Sequence, residues 1–169
     1  MFKKIVLFAL VLIPVAAFAQ ESQKTAYFNS AEVIMGMPQF KTMQDSLQKV
    51  STALESEMKI LEDEFTKKYT TYLQQQDSLV ESIKIRRQQE IEDLRERAMT
   101  FQEQSQQKLQ ELQQTLLLPI QQKVQEALKT VGDENNFSYI LEAGTGTLLY
   151  VNPTSPDATP LVKRKLGLQ

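Results

Sequence analysis

The chain has 169 residues with 19 basic and 21 acidic side chains, five Gly, and no Cys, His or Trp. Without Cys there is neither a disulfide nor a lipid anchor through an N-terminal thiol. Without His or Cys the commonest general base, thiolate nucleophile and soft metal ligands are all missing. The mildly acidic balance, net -2, argues against a nucleic-acid partner, which needs a basic field to release phosphate counterions.

Lys3 and Lys4 precede an apolar run from Ile5 to Phe18 that closes on the small residues Ala17 and Ala19. Too short to span a membrane with ease and followed by polar sequence, this run predicts a secretory signal peptide over 1–19, cleaved after Ala19. The mature chain would begin at Gln20 with 17 basic and 21 acidic residues, net -4 once Lys3 and Lys4 are removed. About 150 residues suffice for one domain, but Gln, Glu and Lys crowd residues 40–130 while Gly and Pro gather at the ends. That texture belongs to long exposed helices rather than to a compact core.

Thr25-Ala26-Tyr27-Phe28 reads as a short strand, and Asn29-Ser30 offers a cap for a helical turn that Gly36 ends. Pro38 suits the first turn of the next helix, where its missing N–H is not needed. From there apolar residues recur at Met43, Leu47, Val50, Leu54, Met58, Leu61, Phe65, Tyr69 and Tyr72, in steps of three and four. Leu47 to Met58 and Met58 to Tyr69 are eleven-residue steps, so the stripe stays almost straight along a helix.

A second stripe runs from Ile91 through Leu94, Ala98, Phe101, Ser105, Leu109, Leu112, Leu116, Ile120, Val124 and Ala127 to Val131. Two such stripes predict an antiparallel hairpin over 38–131 with its tip at Gln76 to Lys84, where Ser78 caps a restart and Glu81 completes a capping box. One bent helix is the alternative, since no Gly or Pro marks the tip. Each arm of about forty residues would be about 60 Å long at 1.5 Å per residue, too long for a compact domain, so the hairpin should project. Pro119 should bend the returning helix near its base.

Past Gly132, Phe137 to Leu141 and Thr147 to Val151 read as strands joined by the turn Glu142-Ala143-Gly144-Thr145-Gly146. Asp157 or Thr159 can cap a last helix, with Pro160 in its first turn and Gly167 just past its end. The fold class expected is therefore α+β and predominantly α, with residues 20–37 and 132–169 forming a β head of three short strands and short helices. So few strands make a poor independent core, which makes self-association a physical expectation. Ala26, Phe28, Tyr139, Ile140, Leu141, Leu148, Leu149 and Tyr150 are the candidates for that head and its assembly.

Catalysis has little to stand on. Glu62, Asp63 and Glu64 lie beside Lys67 and Lys68 as a solvated helix face would place them, and Gly144-Thr145-Gly146 lacks the length and the Lys of a phosphate loop. The adaptable side chains Met58, Phe65, Tyr69, Tyr72, Met99 and Phe101 are candidates for binding varied unfolded chains. The competing reading, that they only glue the two helices together, weighs most for Met58, Phe65 and Phe101 and less for Tyr72 and Met99, nearer the stripe edge. Lys84, Arg86 and Arg87 form a basic cluster at the tip that could touch anionic lipid, lipopolysaccharide or acidic segments, against the blander reading of a solvated helix start.

Four pieces of the chain, in this order and spacing, resemble the Skp or OmpH-like family of periplasmic chaperones. They are Ala26-Tyr27-Phe28-Asn29-Ser30, Leu118-Pro119-Ile120, Phe137-Ser138-Tyr139-Ile140-Leu141-Glu142-Ala143, and the tail from Thr159 to Gly167. The resemblance covers essentially the whole mature chain. It implies a periplasmic homotrimer whose heads share a small β-barrel and whose hairpins enclose a cavity that holds unfolded outer-membrane proteins without ATP or any cofactor. In charge the chain departs from the best-known members, which are strongly basic. A structural or adaptor protein whose hairpins pair with one fixed helical partner in the envelope is the alternative.

Overall fold

The computed structural model describes residues 23–146 and 148–168; the signal peptide expected over 1–19 lies outside them. Strand β1 (Thr25–Phe28) leads into α1 (Ser30–Gly36), then the long helices α2 (Pro38–Gln75) and α3 (Glu81–Asn135), strand β2 (Tyr139–Glu142) and α4 (Thr159–Lys165). The arrangement is α+β and mostly α.

Local chemistry explains most element ends. Asn29 caps α1 by accepting the Glu32 backbone N–H at 3.1 Å, relieving one of the orphan donors of a helix start. Pro38 occupies the first turn of α2. Helix α3 ends on Asn136 in the left-handed conformation, φ 54°, with the Phe137 and Asn136 N–H groups returning to the carbonyls of Gly132 and Asp133. Gly167, φ 71°, closes α4 in the same way: Leu168 and Gly167 donate to Lys163 and Arg164. Both ends are Schellman caps, and the residue after each turn is apolar and packs on the core.

Between α2 and α3 the chain makes a short 3₁₀ turn over Gln76–Ser78, then two extended residues, Leu79 and Val80, before α3 starts. The break rules out one bent helix. The expected Ser78 cap does not form: the Ser78 hydroxyl donates back to the Gln75 carbonyl at 2.8 Å, and Val80 stands at the cap position without a side-chain bond. The first-turn N–H groups of α3 bond instead to the Val80 carbonyl, from Ile83 and Lys84. Helix α3 continues uninterrupted through Pro119 and four residues beyond the expected boundary at 131. Gly132 lies inside it, and an added Cβ there would make only ordinary contact with Ile140 at 3.7 Å, so space does not require glycine at this turn.

Strands β1 and β2 pair in parallel, Thr25 opposite Tyr139 and Phe28 opposite Glu142, with the whole hairpin as their crossover. The third strand expected at Thr147–Val151 is not formed over its described residues, 148–151. The reason lies in the hydrogen bonds of β1. Its second edge is taken by the chain just before α4, since Tyr27 donates to Pro156, Ala158 donates to Tyr27, and Tyr27 bridges Asp157. The turn after β2 is held down separately: Glu142 Oε1 accepts from Ser30 N at 3.2 Å and Gly144 N at 2.6 Å. A Cβ on Gly144 would lie 2.5 Å from Asn29 Oδ1, so only glycine passes there.

The core sits where the arms meet the head. Ala26, Phe28 and Val33 pack with Ala158 and Val162 of the tail and with Ile120, Val124, Ala127 and Val131 from the base of α3. Further out only the α2–α3 seam remains, in which Leu94 and Tyr72 are the buried residues.

Candidate functional site

At 3.6 residues per turn the seam residues Leu54, Leu61 and Tyr72 define one line along α2. Met58, Phe65, Tyr69 and Leu73 all fall to one side of it, Leu73 furthest, and Glu57 falls to the other. The hairpin therefore has two unlike faces. On the first, Met58 and Phe65 meet Ala98 and Met99 of α3 around an open groove with Arg95 at its rim. Phe65 and Tyr69 stack with ring centroids 5.8 Å apart and planes within 5°. Tyr69, Leu73 and Met99 are 44%, 46% and 56% exposed, so this face offers apolar and aromatic surface to solvent.

The six candidates named from the sequence thus separate. Met58, Phe65, Tyr69 and Met99 share the apolar face. Phe101 is half-buried and lines the groove on the opposite face, beside Leu61. Tyr72 was expected near the stripe edge, but it is buried in the seam, where its hydroxyl accepts from Gln88 Nε2 at 2.7 Å. Leu73 was missed, although it stands one turn from Tyr69 on the same row. Ile60, Val80, Ile85 and Leu118 are also exposed by more than half, and nothing in the step pattern marked them.

At the tip Arg86 lies beside Glu90 at 3.7 Å, and Lys68 reaches across from α2 to the same carboxylate at 3.3 Å. Part of the basic cluster is thereby tied into an arm-to-arm clasp, while Lys84 and Arg87 are half-buried. In the head, Ala26 and Phe28 are core residues, 2% exposed each. Tyr139 and Leu141 point outward from β2 and Ile140 inward. Leu148 is half-buried, whereas Leu149 and Tyr150 are 98% and 76% exposed.

Among the described residues no group of His, Cys, Asp or Glu is placed to hold a metal ion, and no helix is long and apolar enough to cross a membrane. What the geometry provides is extended adaptable surface along the arms.

A helical hairpin of this length on a small parallel-strand head defines a class of arm-bearing α+β proteins. The family model for outer membrane proteins of the OmpH-like type matches residues 24–166, and the chain belongs to that family. No curated protein matches the sequence. Among solved structures, one from Caulobacter crescentus CB15, provisionally described as an OmpH-like outer membrane chaperone, superposes with a TM-score of 0.71. It shares 13% identity over 84% of this chain and 82% of its own, a likeness of fold.

Proposed function

We propose that this protein is an ATP-independent holdase of the periplasm, which as a homotrimer keeps unfolded outer-membrane β-barrel proteins from aggregating in a cavity between its arms. The observation that carries this reading is the apolar face of the hairpin. Met58, Phe65, Tyr69, Leu73 and Met99 lie on one face of the hairpin, and among the described residues nothing beyond the two arms packs over it. An exposed apolar and aromatic face of this kind marks an interaction surface. Methionine and tyrosine suit one that must accept many sequences, because methionine adapts its shape and tyrosine buries area at low entropic cost.

Family membership and the provisional description of the Caulobacter relative support a chaperone role. Helix lengths support arms that move: beyond the head core, among the described residues, each helix is held by the other alone, and segments with few buried contacts open at low free energy. The contacts with a client are individually weak and numerous, so release follows when the client finds a better partner, with no nucleotide involved.

Dilution of a urea-unfolded outer-membrane β-barrel protein into buffer without ATP tests this. The mature chain from Gln20 to Gln169, at one trimer per client, should suppress the light scattering of the aggregating client. Undiminished scattering would overturn the holdase reading and favour an adaptor with one fixed partner.

A further inference from the structure

The charges of the mature chain are not spread evenly. Residues 51–64 and 92–103, which overlap midway along the arms where Leu61 and Phe101 line one groove, hold nine acidic and three basic side chains, net -6. The tip, residues 65–91, holds five basic and three acidic, net +2, and the remainder of the mature chain balances at nine and nine. The acidic excess therefore sits in one stretch of the arms about 25 Å long.

Within that band, on the face opposite Met58 and Met99, a groove of about 480 Å³ opens between the helices. Its floor is the half-buried apolar pair Leu61 and Phe101, and its walls carry Glu57, Asp93 and Glu96 against one cation, Arg97. Glu57 and Glu96 have no ion-pair partner among the described residues, and Asp93 accepts only from the Gln89 amide. The band's two short ion pairs, Lys59 with Asp63 and Arg95 with Glu92, both lie outside the groove walls. A carboxylate-walled groove with an apolar floor is complementary to an extended segment that alternates basic and apolar side chains: the apolar ones cover Leu61 and Phe101 while Lys or Arg meets the walls.

We infer that this groove is a second client-contact surface, selective for unfolded segments that carry lysine or arginine next to apolar residues. The inference rests on the holdase reading and adds to it a charge preference. Fields from a band of six net charges extend about a Debye length, ~10 Å at 0.1 M salt, so they bias which segments settle on the arm before any close contact forms.

The test uses the full mature chain and two fluorescent peptides of identical apolar composition, one with four Lys and one with four Ser at alternating positions. Anisotropy should show the Lys peptide binding at least tenfold more tightly than the Ser peptide at 25 mM NaCl, with most of that advantage gone at 300 mM. In the triple variant Glu57→Gln, Asp93→Asn, Glu96→Gln the advantage should fall to less than threefold. Ser-peptide binding, helicity and oligomer mass should stay unchanged. Equal affinity for the two peptides, or a Lys advantage that survives the triple variant, would overturn the inference. If β-barrel aggregation is still suppressed in that case, the charge preference fails alone. If aggregation is also undiminished, the holdase reading fails with it.

Discussion

Tyr69 and Tyr72 are three residues apart, yet their surroundings give them different work. Tyr72 fills the seam and is bonded to Gln88, so Tyr72→Ser should leave a cavity and an unpaired amide and cost about 2–4 kcal/mol of arm stability. Tyr69→Ser removes a ring that solvent already reaches and its stack on Phe65, and should cost about 1 kcal/mol or less while weakening client retention. Urea unfolding followed by circular dichroism, beside the scattering assay, separates the two; equal stability losses would show that Tyr69 belongs to the seam as well. In the head, the Tyr27 phenol is raised above its ordinary pKa of 10.0, first by burial and then by the charge and hydrogen bond of Asp157. A phenol whose folded pKa is raised contributes stability that is complete below pH 10 and lost as pH climbs past it. The unfolding midpoint should therefore drop above pH 10, and less steeply in Tyr27→Phe.

At the scale of elements, the arms owe their form to two periodic stripes that meet in one seam. Ser105 interrupts the second stripe: its hydroxyl is buried with no partner in the structure. Burying a hydroxyl without a hydrogen bond costs free energy that a methyl does not, so Ser105→Ala should stabilise the hairpin by about 1 kcal/mol. A rise in the urea midpoint would confirm it, and a fall would mean that the hydroxyl has found a bound water. Both long helices, the tip and the Asn29 and Pro38 signals were legible along the chain because each depends on residues a few positions apart. The start of α3 was not, because a serine three residues before a glutamate suits a 3₁₀ turn and a helix start equally, and Val80 rather than Ser78 stands at the cap position. Which of the six candidate side chains shared a face was only half legible: the period of the stripe places Met58 and Phe65 together but says nothing of what α3 sets opposite them.

For the whole molecule, the head is where one chain leaves most undone. Tyr139 and Leu141 on the outward side of β2 and Leu149 and Tyr150 just beyond it leave apolar surface uncovered, and β2 pairs along one edge only. Exposed strand edges and apolar patches of this kind favour association. If the proposed homotrimer assembles through this patch, the double substitution Leu149→Ser, Tyr150→Ser should lower the mass measured by light scattering towards the monomer while the arms keep their helicity; an unchanged oligomer mass would place the assembly contacts elsewhere, and a monomeric parent chain would refute the trimer. Losing the assembly should also weaken client holding, since weak contacts on several arms act together only when the arms are linked.

Sequence alone determined what local rules govern: the two amphipathic helices, the short first strand and the place of the tip, although one bent helix stayed open as the alternative to a break there. Tertiary structure decided what depends on partners distant in the chain. It paired β1 with β2 in parallel and gave the other edge of β1 to residues 156–158, leaving residues 148–151 without a strand to join. It also turned Tyr72 inward and Tyr69 outward, and set an apolar groove and an acidic one on opposite sides of a single seam. A period of 3.6 residues fixes which side chains share a line on one helix, but only the packing of the second helix decides which of those lines is covered.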